Sequence, residues 1–132
     1  MRSLDSALEV YALVLGLSRW SVEEVPEQKV RVAMLAIGES RIELLEATAA
    51  DSPVAGFLAK KGEGVHHICF QVENLNEELL RLQASGLRLI DQTARIGAGG
   101  CQIAFLHPSG TAGVLIELSQ PGKIPPTPSK SE

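Results

Sequence analysis

Apolar residues recur at helical spacing over residues 4–17, at Leu4, Ala7, Leu8, Tyr11, Ala12 and Leu15, and Gly16 stands where a helix stops. A second stripe, Leu75, Leu79, Leu80 and Leu82, predicts a helix over residues 75–85. Asn74 followed by Glu77 has the form of a capping box at its start, and Gly86 suits its C-terminal end. The remaining apolar runs are short, rich in Val, Ile, Leu and Phe, and bounded by Gly, Pro or Ser. They predict strands over residues 30–37, 40–45, 65–72, 101–106 and 113–119, with two more near 19–25 and 88–95. Beyond Gln120 the tail PGKIPPTPSKSE has no apolar periodicity, which predicts disorder over residues 121–132.

This order of elements is repeated. VRVAMLAIG and then RIELLE follow the first helix, while CQIAFLHP and then VLIELS follow the second. The tripeptide Ile42-Glu43-Leu44 recurs as Ile116-Glu117-Leu118. Each half therefore reads helix, strand, strand, strand. The second half carries one further element in front, the strand VHHICFQV. Its counterpart in the first half is expected to be missing, since a residue equivalent to His67 would fall about eight positions before Leu4. Module one is expected over about 1–48, a linker over about 49–63 and module two over about 64–120, within one domain.

Composition narrows the function classes. The 132 residues are 45% apolar and 21% charged, with a net charge of −4, an ordinary globular balance. Such a chain offers no basic face to nucleic acid or to an anionic membrane. No apolar run is long enough to span a bilayer. Asp5 and Glu9 interrupt what a signal peptide would need as an apolar stretch. Two cysteines, Cys69 and Cys101, are too few for a disulfide scaffold and are read as core residues. The expectation is a cytoplasmic protein with reduced thiols.

Three residues carry candidate chemistry. In a strand, side chains alternate faces, so His67 would share one face with Val65, Cys69 and Gln71. Glu117 lies between Ile116 and Leu118, and a carboxylate in so apolar a strand is costly unless hydrogen-bonded, paired or metal-bound. Glu43 repeats the problem at the equivalent place in the first half. Two strand glutamates related by a repeat, with a histidine on another strand, suit a divalent metal site. Each alone also suits a plainer role: a satisfied histidine, or a glutamate on a half-exposed sheet. His107-Pro108-Ser109-Gly110 reads as a hairpin turn, and Gly97, Gly99 and Gly100 read as a turn rather than a phosphate loop.

Several segments, SLDSALEVYALVLGL, DSPVAGFLAKKGEGVHHICFQVENL, GLRLIDQ, IGAGG, IAFLHP and GVLIEL, resemble the methylmalonyl-CoA epimerase family of the vicinal oxygen chelate superfamily. The resemblance implies an α+β fold of paired βαβββ modules, here with the first module lacking its N-terminal strand. It implies a homodimer, a CoA-thioester substrate and a divalent metal ion such as cobalt, manganese or zinc. His67, Glu43 and Glu117 match three of the family's metal ligands, and its further histidine has no match in this sequence. Some family members carry a second glutamate, proposed as an acid/base, where this chain has Val32. The implied activity is an isomerase's, the interconversion of (2R)- and (2S)-methylmalonyl-CoA, with Glu117 as the catalytic base. Glu43 is then the remaining candidate for a second proton-transfer group. Another enzyme of the superfamily, or a metal-poor binding module, stays open as the alternative.

Overall fold

The computed structural model describes residues 1–16 and 20–122. The end of the first predicted helix, the start of the strand near 19–25 and most of the tail predicted as disordered lie outside the described residues. The chain divides into two compact units, one ending at His66 and the other beginning at His67.

The first unit opens with helix α1 (Leu4–Leu15), followed by β1 (Trp20–Val25), β2 (Val30–Ile37) and β3 (Ser40–Ala47). Ser3 caps α1 by accepting the Ser6 N–H, and Gly16 ends it at φ 65°, a left-handed conformation that glycine adopts without penalty. The three strands form an antiparallel sheet in the order β1-β2-β3. Alternation sends Ala33, Leu35 and Leu44 to one face, where they pack with Leu4 and Leu8 of α1. A short helix, α2 (Pro53–Lys61), occupies the segment expected as a linker. Ser52 caps it, Pro53 pre-sets its first turn, and Lys60 and Lys61 suit its C-terminal end.

The second unit contains β4 (Ile68–Gln71), α3 (Leu75–Ala84), β5 (Arg95–Ile96), β6 (Gln102–Leu106) and β7 (Ile116–Gln120). Its sheet runs β4-β7-β6-β5, with β4 parallel to β7 and the other pairs antiparallel. Asn74 caps α3 by accepting the Glu77 N–H at 3.1 Å, the predicted capping contact. Leu75 and Leu79 of α3 pack on Ala104, Leu106 and Leu118.

Three strand expectations shift. The strand predicted over 65–72 is confined to Ile68–Gln71, because its partner β7 begins only at Ile116. Residues 108–115, part of which was expected as strand, form turns, with Ala112 and Gly113 at positive φ. The strand near 88–95 reduces to β5 and one bridge, Leu89 to Leu106, because the Asp91 carboxylate takes the Phe105 N–H that a ladder would use. The edge position of β4 also leaves Ile68 and Phe70 about half exposed rather than packed under a helix. For the same reason Cys69 is exposed, and Cys101 is only partly buried, so neither is a core residue.

Candidate active site

On the face of the second sheet turned away from α3, a small set of polar and aromatic side chains comes together. β7 sends Leu118 into the core and therefore sends Glu117 to the opposite face. Strand register places Cys69 of β4 and Phe105 of β6 directly beside Glu117. His67 lies just before β4 rather than within it, yet it keeps the parity of Cys69. Its Nε2 stands 2.8 Å from Glu117 Oε1, and the two side chains are only 11% and 12% exposed. The nearly buried carboxylate thus has the polar partner that its apolar strand demands.

An aromatic ring borders this pair. Phe105 meets the His67 imidazole edge to face, with centroids 5.7 Å apart. The Arg95 guanidinium lies 5.7 Å from the centre of the same Phe105 ring, within cation–π range. Arg95 Nε is 3.1 Å from Asp91 Oδ1, and Asp91 Oδ2 accepts the Phe105 backbone N–H at 2.9 Å.

Glu43 belongs to the first unit. It lies opposite Met34 in the β2–β3 register, on the face away from α1, and Arg41 Nε approaches its Oε2 at 3.2 Å. Val32 shares that face and is 2% exposed. Of the three predicted site residues, the structure pairs His67 with Glu117 and gives Glu43 an ion pair within its own unit. His107 serves its turn, accepting the Ser109 N–H on Nδ1 at 3.0 Å. Gly99 and Gly100 adopt positive φ in a tight turn, as the glycine cluster predicts.

Sequence reasoning missed Phe105, Asp91 and Arg95. Strand parity alone could have found Phe105, since antiparallel pairing of β6 with β7 brings it beside Glu117. No comparable signal marked Asp91 and Arg95, because their contact depends on the chain leaving the strand conformation.

An imidazole nitrogen and a carboxylate oxygen are donors that zinc, cobalt and manganese accept. Two ligands held at about 2.0–2.2 Å from one tetrahedral ion lie roughly 3.3–3.6 Å apart, so the His67–Glu117 pair, in hydrogen-bonding contact at 2.8 Å, would open by about half an ångström or more to share one ion. They form an incomplete donor set. Among the described residues no group of three or more His, Cys, Asp and Glu side chains is placed to hold a metal ion.

Comparison with known proteins places this geometry in context. Residues 1–105 match the family model described as Glyoxalase/Bleomycin resistance protein/Dioxygenase superfamily. The chain is 47% identical over 119 residues to the uncharacterized protein YqjC of Bacillus subtilis (strain 168), covering 90% of this chain and 85% of that protein. It is 41% identical over 118 residues to the mitochondrial methylmalonyl-CoA epimerase of Bos taurus, covering 89% of this chain and 67% of that protein. A solved methylmalonyl-CoA epimerase in complex with methylmalonyl-CoA and NH4+ superposes with a TM-score of 0.88 at 36% identity. That match covers 93% of this chain and 90% of the other.

Proposed function

The chain belongs to the Glyoxalase/Bleomycin resistance protein/Dioxygenase superfamily, among relatives named methylmalonyl-CoA epimerase, and from that premise we propose that it interconverts (2R)- and (2S)-methylmalonyl-CoA. The observation that carries this reading is Glu117, nearly buried in an apolar strand and held by His67 at 2.8 Å. Kinship with epimerases supports the choice of substrate.

The reaction removes the proton on the carbon between a thioester and a carboxylate and returns it on the other face. An ordinary glutamate has a pKa near 4.3, so it abstracts such a proton only where the developing negative charge is stabilised. Glu117 is the base in this reading. His67 fixes the orientation of its carboxylate, and the surrounding apolar strands and Phe105 keep water from competing for it. A divalent ion, for which the family resemblance names His67, Glu43 and Glu117 as ligands, would supply Lewis-acid stabilisation of the thioester oxygen; of these, the structure brings together only His67 and Glu117. Since Val32 carries no titratable group, Glu43 is the candidate for the opposite-face proton. The same reading carries a homodimer acting in the cytoplasm, and among the described residues no helix is long and apolar enough to cross a membrane.

The test is exchange of the α-proton of methylmalonyl-CoA with solvent deuterium, followed by mass spectrometry, beside conversion of a single epimer to the mixture. Both should occur with cobalt, manganese or zinc present. Absence of exchange with every one of these ions would overturn the proposal.

A further inference from the structure

We propose that Phe105 is a positioning residue for the His67–Glu117 pair, and that the Asp91 carboxylate sets Phe105 in place. The inference rests on the epimerase reading and deepens it, by naming what holds the imidazole beside the base.

His67 lies ahead of β4 and belongs to none of the β4–β7 ladder pairs. Side chains from two neighbouring strands meet its imidazole. Glu117 Oε1 stands 2.8 Å from Nε2, and the Phe105 ring crosses the imidazole plane at 78° with centroids 5.7 Å apart. An edge-to-face contact between two flat rings favours one relative orientation, which an aliphatic side chain does not impose. The contact is between ring systems and leaves Nε2 to its carboxylate.

Phe105 reaches the pair because of how its backbone is bonded. Its N–H goes to Asp91 Oδ2 at 2.9 Å, and its carbonyl accepts from Ile90 N at 3.0 Å and Asp91 N at 3.2 Å. Both backbone groups therefore point away from β7. Phe105 and Glu117 are then a non-hydrogen-bonded pair, the kind whose side chains lie closer together. β5 pairs only with Gln102 and Ile103, so it stops short of Phe105, and the Asp91 carboxylate takes the place of a strand there. That carboxylate is 14% exposed and is anchored by Arg95 Nε at 3.1 Å. The order of action runs from Asp91 to Phe105 to His67 to Glu117. A displacement of about 1 Å at a reacting group costs about 10²-fold in rate, so a looser imidazole should show in proton transfer.

The experiment follows the His67 imidazole in apo protein labelled with 15N-histidine, its NMR signals being those that His67→Ala removes. In the parent, an Nε2–H held by a nearly buried carboxylate should exchange slowly with water. Phe105→Leu keeps apolar cover but removes the flat ring. It should speed that exchange about 10-fold and, with metal present, slow α-proton exchange of methylmalonyl-CoA about 10-fold at nearly unchanged KM. Phe105→Tyr restores the ring and should stay within about 3-fold of the parent in both. Asp91→Ala should move both readouts in the same direction as Phe105→Leu, yet add nothing when combined with it, because it acts through the ring. Should Phe105→Leu fail to fold, Asp91→Ala gives the same comparison with every side chain of the pair in place. An Nε2–H as protected in the folded variants as in the parent overturns the proposal. So does an Asp91→Ala effect of full size on top of Phe105→Leu. A parent that exchanges no α-proton overturns the epimerase reading instead, a failure kept separate because the imidazole is read in apo protein.

Discussion

Leu4 and Leu75 occupy the same place in the two units. Each is fully buried and opens its helix, and each donates its backbone N–H to the side chain near the end of its unit's last strand. Leu4 N–H reaches Glu46 Oε2 at 3.2 Å, and Leu75 N–H reaches Gln120 Oε1 at 2.7 Å. Three residues before each leucine the match continues, with Met1 N donating to the Leu45 carbonyl and Val72 N to the Ser119 carbonyl, both at 2.8 Å. These contacts make Glu43 and Glu117 structural equivalents, independently of the recurring tripeptide.

The two helix-to-strand contacts should differ in weight. Gln120→Ala removes one neutral hydrogen bond to a helix N-terminus and should cost about 1 kcal/mol. Glu46→Ala also removes the ion pair with Arg31, whose Nη1 donates to Glu46 Oε1 at 2.9 Å and which keeps only the longer approach to Asp5 at 3.8 Å, and should cost about 1–2 kcal/mol. Chemical denaturation of the two variants beside the parent checks the order. A smaller loss for Glu46→Ala than for Gln120→Ala would contradict it.

What was legible in the sequence follows from how local each cause is. The Ile-Glu-Leu recurrence and the two helical stripes depend on alternation and spacing within one element, so the repeat and the outward face of Glu117 could be read directly. His67 was read on the right face although it lies outside the strand, because parity survives past the last ladder bond. The helix α2 left no stripe to read, since Val54 is its only buried residue. The Asp91–Arg95 clamp was hidden for another reason. It forms only where a side chain replaces a backbone ladder partner, a choice made by the fold of β6 rather than by the segment itself.

One surface pair gives a pH signature. Lys29 forms an ion pair and hydrogen bond with Asp51, and these hold the Asp51 carboxyl below its ordinary range. A carboxyl with a lowered folded-state pKa contributes stability that is present above its unfolded pKa and lost as pH falls through the folded one. Both groups are exposed, so the contribution is small and screened by salt. Asp51→Asn should lower the melting temperature slightly at pH 7 and low salt. The difference should vanish once the pH is below the folded pKa of Asp51. A difference that persists there would assign the effect to something other than the ion pair.

Loss of the imidazole should be felt in metal affinity and, through Glu117, in folding. Removing a residue that merely orients a ligand costs about 10–100-fold in affinity, so His67→Ala, which removes a donor itself, should cost at least that much. His67→Ala also takes away the imidazole that Glu117 contacts at 2.8 Å, so the apo variant should melt below the apo parent, and the affinities are compared at a temperature where both are folded. Titration with cobalt, read by its absorption, and competition against a chelator measure the affinity. Equal metal content and affinity in both proteins would remove His67 from the site.

Glu117→Gln separates the base from the scaffold around it. Glutamine keeps the shape and one oxygen beside His67, so the packing against Cys69 and Phe105 should persist. It cannot accept the α-proton. A general base typically contributes roughly 10²–10⁴-fold in rate, and the deficit should fall on kcat with KM nearly unchanged, because the lost interaction belongs to the transition state. Deuterium exchange at the α-carbon reports this step even when the proton returns to the face it left. Glu43→Gln should also retain an oxygen donor, and if Glu43 handles only the opposite-face proton it should slow epimerisation more than exchange. Should Glu117→Gln exchange the α-proton as fast as the parent, the base lies elsewhere and the short contact to His67 is structural alone.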